Sequence, residues 1–177
     1  AFISGISLLY SQLFKMNSSE IVPLAAFGFS FWNLTTNLIS SSSVVFIQHS
    51  QSIKSSTLPF SFYIFSSVSQ QFLIFLHSAL VLIPVSIFND ENPRIICLIS
   101  VPITVAIALV NGFSLGLWLG PMSTRFRDVS AAIPIIIQIA IFLSPIFWSA
   151  SLLTGREWIV DYNPIAWMIE TFRSPLM

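Results

Sequence analysis

Charge is what this chain has least of. Its 177 residues hold seven basic and seven acidic side chains, 8% in all, and the formal net charge is zero. Soluble domains carry about 25% charged residues. A chain this poor in charge would expose large apolar patches to water and aggregate. The balanced charge also leaves no basic surface to capture nucleic acid. Cysteine is nearly absent: Cys97 alone lies in an apolar stretch, so no internal disulfide forms and no cysteine-based metal site is available. The sequence contains no G-x-x-x-x-G-K-[ST] phosphate loop, no H-E-x-x-H metal motif and no G-x-S-x-G nucleophile elbow. No carboxylate falls inside the long apolar segments, which argues against a proton relay through them.

What is abundant is apolar. Hydrophobic residues make up 55% of the chain, with 17 phenylalanines, and the mean hydropathy is +0.86. Phenylalanine tolerates lipid without a hydrogen-bond partner, unlike tyrosine or tryptophan. A spanning helix needs about 20 mainly apolar residues. The charge clusters divide the chain into such lengths: spans at about 1–14, 21–47, 60–88, 95–119 and 131–150, then an amphipathic tail over 151–177. The polar loops between them cover 15–20, 48–59, 89–94 and 120–130. No soluble domain fits in these gaps, so 1–177 reads as one transmembrane domain. Continuous runs such as Ile135-Ile136-Ile137 contradict the strict alternation of barrel strands. The expected fold class is therefore all-α, a polytopic membrane helix bundle. Ala1 lies inside an apolar run, and Met177 follows Arg173-Ser174-Pro175-Leu176 without a closing element. An internal fragment, cut within the membrane domain at both ends, is the expectation.

Alternating spans place loops 48–59 and 120–130 on one side. They carry Lys54, Arg125 and Arg127 against Asp128 alone. The opposite loops hold four basic and six acidic residues. The short, nearly acid-free set is assigned to the cytoplasm.

Several patterns within the spans invite a function. Ala108, Gly112, Gly116 and Gly120 recur every four residues, which gathers them on one face where a neighbouring backbone comes close. That face serves either packing inside one subunit or a gating or dimer contact. Asn33, Asn37, Ser40 and Ser41 form a polar stripe on the second span, and Tyr63, Ser66, Gln70 and His77 another on the third. Polar groups are costly in hydrocarbon, so these stripes should face protein or a wet cavity. They suit a conduit for hydrophilic cargo, or hydrogen bonding between helices. The fifth span carries Pro134, Gln138 and Pro145 on one face, as a gate or a static kink would. Arg125-Phe126-Arg127-Asp128 either anchors the start of that span or contacts a cytoplasmic partner. Trp158, Tyr162 and Trp167, with the turn Asn163-Pro164, mark helices lying at the membrane surface.

Taken in order, Arg125-Phe126-Arg127-Asp128, Gln138, Phe142-Leu143-Ser144-Pro145-Ile146-Phe147-Trp148, Tyr162-Asn163-Pro164 and Ile169-Glu170-Thr171-Phe172-Arg173 resemble the permeases of ABC type-2 exporters. The resembling branch exports O-antigen, capsule and teichoic-acid polysaccharides. Val22-Pro23-Leu24-Ala25-Ala26-Phe27-Gly28 with Trp32, Ile53-Lys54 before Leu58-Pro59-Phe60, and Phe75-Leu76-His77 extend the likeness. Ser78 departs from it, since the family often has Asn there.

The resemblance implies six membrane helices per subunit, a homodimer around a central path, and separate ATP-binding cassette subunits. It also implies a bacterial inner-membrane, multi-pass location. The chain itself would hold no cofactor; ATP and Mg would sit in the partner. The path for lipid-linked polysaccharide would be lined by Trp32, Asn37, Tyr63, Gln70, His77, Gln138 and Phe142. Lys54, Arg125, Arg127 and Asp128 would contact the ATPase. Pro134, Pro145, Asn163 and Pro164 would shape the gate. Two other functions stay open at this stage: the same fold exporting drugs or lipids, and a membrane enzyme acting on polyprenyl lipids. The latter usually needs a carboxylate or histidine cluster, and Asp90-Glu91 is the only adjacent acidic pair.

Overall fold

A computed structural model describes residues 18–80, 82, 97–144 and 164–173. Among the described residues the chain is all-α and no strand is present. The helices are α1 (Ser18–Gln48), α2 (Ser50–Ser55), α3 (Phe60–Ala79), α4 (Cys97–Arg125), α5 (Arg127–Leu143) and α6 (Pro164–Arg173).

The 31 residues of α1 include many serines, threonines and asparagines, which favour caps over helix interiors in water. Here the hydroxyls turn back onto their own helix. Ser30 donates to the Ala26 carbonyl at 2.7 Å and Ser43 to the Ser40 carbonyl at 2.7 Å. Such bonds satisfy the hydroxyl without a second helix, so a serine-rich segment remains helical in apolar surroundings. The ladder pauses at His49, whose amide still reaches Val45 at 3.2 Å, and resumes as α2.

Within α4, Ile99–Arg125 is long and apolar enough to cross a membrane, and only 28% of its apolar window is buried. A core helix of a soluble protein would be mostly covered; this one shows Ile99, Ile103, Ile107 and Val110 on its open face. Phe60, Phe62, Phe65, Leu73 and Ile74 on α3, and Ile135, Ile136 and Ile139 on α5, are likewise exposed.

Two expected loops carry helix. Segment 48–59 contains α2, and α4 runs through Gly120 and Pro121 to Arg125, leaving Phe126 as the break before α5. Charge marked 120–130 as an aqueous loop, yet a helix of 29 residues is about 43 Å long at ~1.5 Å per residue. That exceeds a hydrocarbon core of about 30 Å, so its charged last turn lies beyond the core without ceasing to be helix. Helix electrostatics fix the break itself. Arg125 stands in the last turn of α4 and Asp128 in the first turn of α5, each complementing the partial charge of its helix end. The third span, expected to reach 88, is helical to Ala79, and most of its remainder lies outside the described residues.

The chain divides into two compact units. The first takes Ala1–Trp32, Leu76–Val105 and Ile141–Met177; the second takes Asn33–Phe75 and Ala106–Ala140. The core of the first joins α1 to α6: Phe31 stacks on Phe172 with ring centroids 4.7 Å apart, amid buried Phe27, Ala166 and Ile169.

The second unit is built on the small-residue face of α4. A Cβ at Gly112 would lie 2.8 Å from Leu38 Cδ2, one at Gly116 2.5 Å from Ile64 Cγ2, and one at Gly120 2.8 Å from Phe46 Cε2. Any side chain here would push α1 or α3 away. The close approach also admits a hydrogen bond from the Ser42 hydroxyl of α1 to the Gly112 carbonyl of α4, 2.9 Å long and fully buried. In lipid, where apolar burial drives little association, such packing and interhelical bonds hold helices together.

Candidate functional site

The second unit contains a polar cleft of about 390 Å³. The C-terminal half of α1 supplies Asn37, Ser40, Ser41 and Gln48, followed by His49 at the junction. The middle of α3 adds Ser67, Gln70 and Gln71, and the first turns of α5 add Ser130 and Pro134. Spacing explains the grouping. Asn37, Ser41, Ser40 and Gln48 recur at helical intervals on α1, as do Ser67, Gln70 and Gln71 on α3, so each set shares a face.

Chemically the cleft is, beside His49, a set of amide and hydroxyl donors and acceptors. Amides and hydroxyls offer both roles to a ligand. Pro134 adds an acceptor: having no N–H, it deprives the Ser130 carbonyl, four residues earlier, of its usual helical donor. Among the described residues no group of three His, Cys, Asp or Glu side chains could hold a metal. The arrangement fits hydrogen bonding to a polar solute.

Behind the cleft wall stands Tyr63, 4% exposed. Its hydroxyl bonds the Ser56 hydroxyl at 2.6 Å, and its ring packs against His49 with centroids 5.4 Å apart. These contacts tie Ser56, in the link between α2 and α3, and the α1–α2 junction to α3.

Of the residues expected to line a path, Asn37 and Gln70 meet in this cleft with Pro134. Tyr63 supports the cleft from behind. Gln138 is exposed on α5 and does not line it. Trp32 and His77 belong to the first unit, Trp32 buried at 3% and His77 exposed. The Phe142 side chain, Pro145 and Asn163 lie outside the described residues, and Pro164 opens α6. Arg125, Arg127 and Asp128 are exposed around the α4–α5 break, with the Arg125 guanidinium 5.7 Å from the Phe126 ring centroid. Gln48, His49, Ser67, Gln71 and Ser130 were missed as site residues. Ser67 and Gln71 stand next to Ser66 and Gln70 of the α3 stripe, and Gln48 lies two helical turns beyond Ser41 on the α1 stripe.

A family model described as ABC-2 type transporter matches residues 2–177. The chain belongs to that family. Two proteins named O-antigen export system permease protein RfbA, both from Klebsiella pneumoniae, are 24% and 22% identical to it over 176 residues. Each alignment covers 97% of this chain and 68% of the relative. As an ABC-2 permease it is a membrane-embedded transport subunit rather than an enzyme, and its family works with ATP-binding cassette partners. The cleft and the exposed α4–α5 break of this permease therefore call for interpretation in terms of cargo and partner.

Proposed function

We propose that this permease forms the membrane-spanning part of an ATP-driven exporter moving lipid-linked polysaccharide, of O-antigen, capsule or teichoic-acid type, across the bacterial inner membrane. The observation that carries the reading is the polar cleft, lined among the described residues by no Asp, Glu, Lys or Arg and set among apolar helices. A chain of sugar hydroxyls needs many neutral hydrogen-bond partners, each weak enough to let the chain move on. The two O-antigen export relatives point to the same cargo.

In this reading two copies of the chain enclose the path. ATP and Mg bind in separate cassette subunits, which meet the membrane domain from the cytoplasm. The exposed Arg125–Asp128 segment and the face of α2 that carries Gln51, Ser52 and Ser55 form the contact region. A push at the α4–α5 break is carried along α5 to Ser130 and Pro134, two of the cleft residues.

The test begins with the full-length gene expressed in its operon and purified in mild detergent. A cassette subunit retained at near one-to-one stoichiometry, with ATP hydrolysis stimulated by a lipid-linked glycan, is the expected result. Arg127→Ala should preserve assembly and uncouple hydrolysis from export. A folded permease that purifies without a cassette subunit overturns the proposal, and stimulation by drugs or simple lipids instead of glycans overturns its cargo.

A further inference from the structure

The second unit holds another space, separate from the polar cleft in its lining residues. It measures about 490 Å³ and is walled by Phe46, Ile53, Phe60, Leu117 and Pro121. Ser50, Lys54 and Thr124 complete it. Ser50, Ile53 and Lys54 stand three and four residues apart, so they are the inner face of α2, leaving Gln51, Ser52 and Ser55 facing away.

We propose that this groove holds an acidic membrane phospholipid, with its phosphodiester on Lys54 and Ser50 and an acyl chain along the apolar wall. Five observations carry this. The wall includes apolar side chains left open among the described residues, Phe60 at 62% exposed and Leu117 at 52%, and their sequence neighbours Leu58 and Trp118 are 48% and 67% exposed. The groove lies at helix ends, between the last turns of α4 and the α2 segment joining α1 to α3. The 27 residues Ile99–Arg125 span about 40 Å as a helix, so the last turn stands in the headgroup layer of a bilayer with a ~30 Å core. Among the described residues Lys54 is the sole charged one lining the groove. Thr124 already donates its hydroxyl to the Pro121 carbonyl at 2.7 Å, leaving Lys54 and Ser50 as the headgroup donors.

The charge balance selects the occupant. One ammonium group matches the single negative charge of a phosphodiester lipid such as phosphatidylglycerol. A lipid pyrophosphate brings at least two charges and would leave one unmatched. A zwitterionic lipid would set its own cation beside Lys54. Lysine near a membrane surface is worth about 1 kcal/mol toward anionic lipid. The proposal rests on the spanning reading of α4 and not on the nature of the cargo.

The test uses the full-length permease with its cassette partner in nanodiscs of equal phosphatidylcholine and phosphatidylglycerol. The complex is transferred to mild detergent, and retained lipid is identified by native mass spectrometry. Phosphatidylglycerol should be retained over phosphatidylcholine. Lys54→Gln should cut that preference about fivefold, the equivalent of ~1 kcal/mol, and Lys54→Arg should keep it. Should Lys54→Gln fail to assemble, Leu117→Trp decides the matter: it fills the groove from an exposed helix position and should lose the lipid with the charge intact. Equal retention of both lipids, retention unchanged in Lys54→Gln or Leu117→Trp, or displacement by an added lipid pyrophosphate would overturn the proposal. Glycan-stimulated ATP hydrolysis, read on the same samples, reports on the cargo independently.

Discussion

Replacing Gly116 with alanine sets two effects of opposite sign against each other. Alanine favours helix over glycine by about 0.8–1.0 kcal/mol in water. The new methyl, however, would stand 2.5 Å from Ile64 Cγ2. Ile64 is 1% exposed and β-branched within α3, so its χ1 is restricted and it has nowhere to turn. Overpacking of this kind costs about 1–3 kcal/mol. The clash should win, with a net loss of about 1 kcal/mol. The neighbouring glycines set an order. Gly120→Ala meets the rigid Phe46 ring at 2.8 and 2.9 Å and should also destabilise, whereas Gly112→Ala first meets the flexible end of Leu38 and should cost least. The assay is denaturant unfolding in mixed micelles, run as a double-mutant cycle. Ile64→Leu removes Cγ2 at nearly constant volume, so Gly116→Ala in that background should recover at least ~1 kcal/mol of coupling. A Gly116→Ala protein as stable as the parent, or a cycle additive within about 0.5 kcal/mol, would refute the packing of α4 on α3 described above.

Ser123 is fully buried and its hydroxyl has no hydrogen-bond partner, so Ser123→Ala should leave stability unchanged or raise it by up to ~1 kcal/mol in the same unfolding assay. Tyr63→Phe removes the 2.6 Å bond to Ser56 and should loosen residues 50–59, read as faster amide hydrogen exchange there with α4 unchanged. Gln70→Leu makes one wall of the cleft apolar; export should fall several-fold while assembly and basal ATP hydrolysis stay as in the parent, and unimpaired export would remove the cleft from the path.

How far the sequence revealed the structure depends on the kind of signal. The four-residue rhythm of Ala108, Gly112, Gly116 and Gly120 placed the packing face of α4 because small residues constrain backbone approach whatever lies opposite. The rhythm could not say that Leu38, Ile64 and Phe46 are what approaches, since contact between helices depends on their relative rotation. The polar stripes yielded Asn37 and Gln70 but not Gln71 or His49, because a stripe fixes a face to within about one residue and the cleft spans two adjacent positions on α3. The α4–α5 break was hidden by the signals that usually mark a loop. Gly120, Pro121 and six charged or polar neighbours suggested coil, yet packing on Phe46 and Val45 carries the helix through. Trp32 was expected on the path because the resembling family lines its path with aromatics; within the first unit its side chain is buried.

One residue separates α4 from α5. A single residue spans at most about 3.6 Å, so the link at Phe126 has almost no slack. The Phe126 amide still bonds the Met122 carbonyl at 2.8 Å, and the Val129 amide bonds the Phe126 carbonyl at 3.1 Å, clasping both helix ends to the same residue. Two rods joined this tightly behave as a bell crank pivoting on one pin. Force delivered to the exposed ring of Phe126 has no loop in which to dissipate. Pro134 lies eight residues further on, about 12 Å along the helix axis, so the far arm of the crank is the wall of the cleft itself.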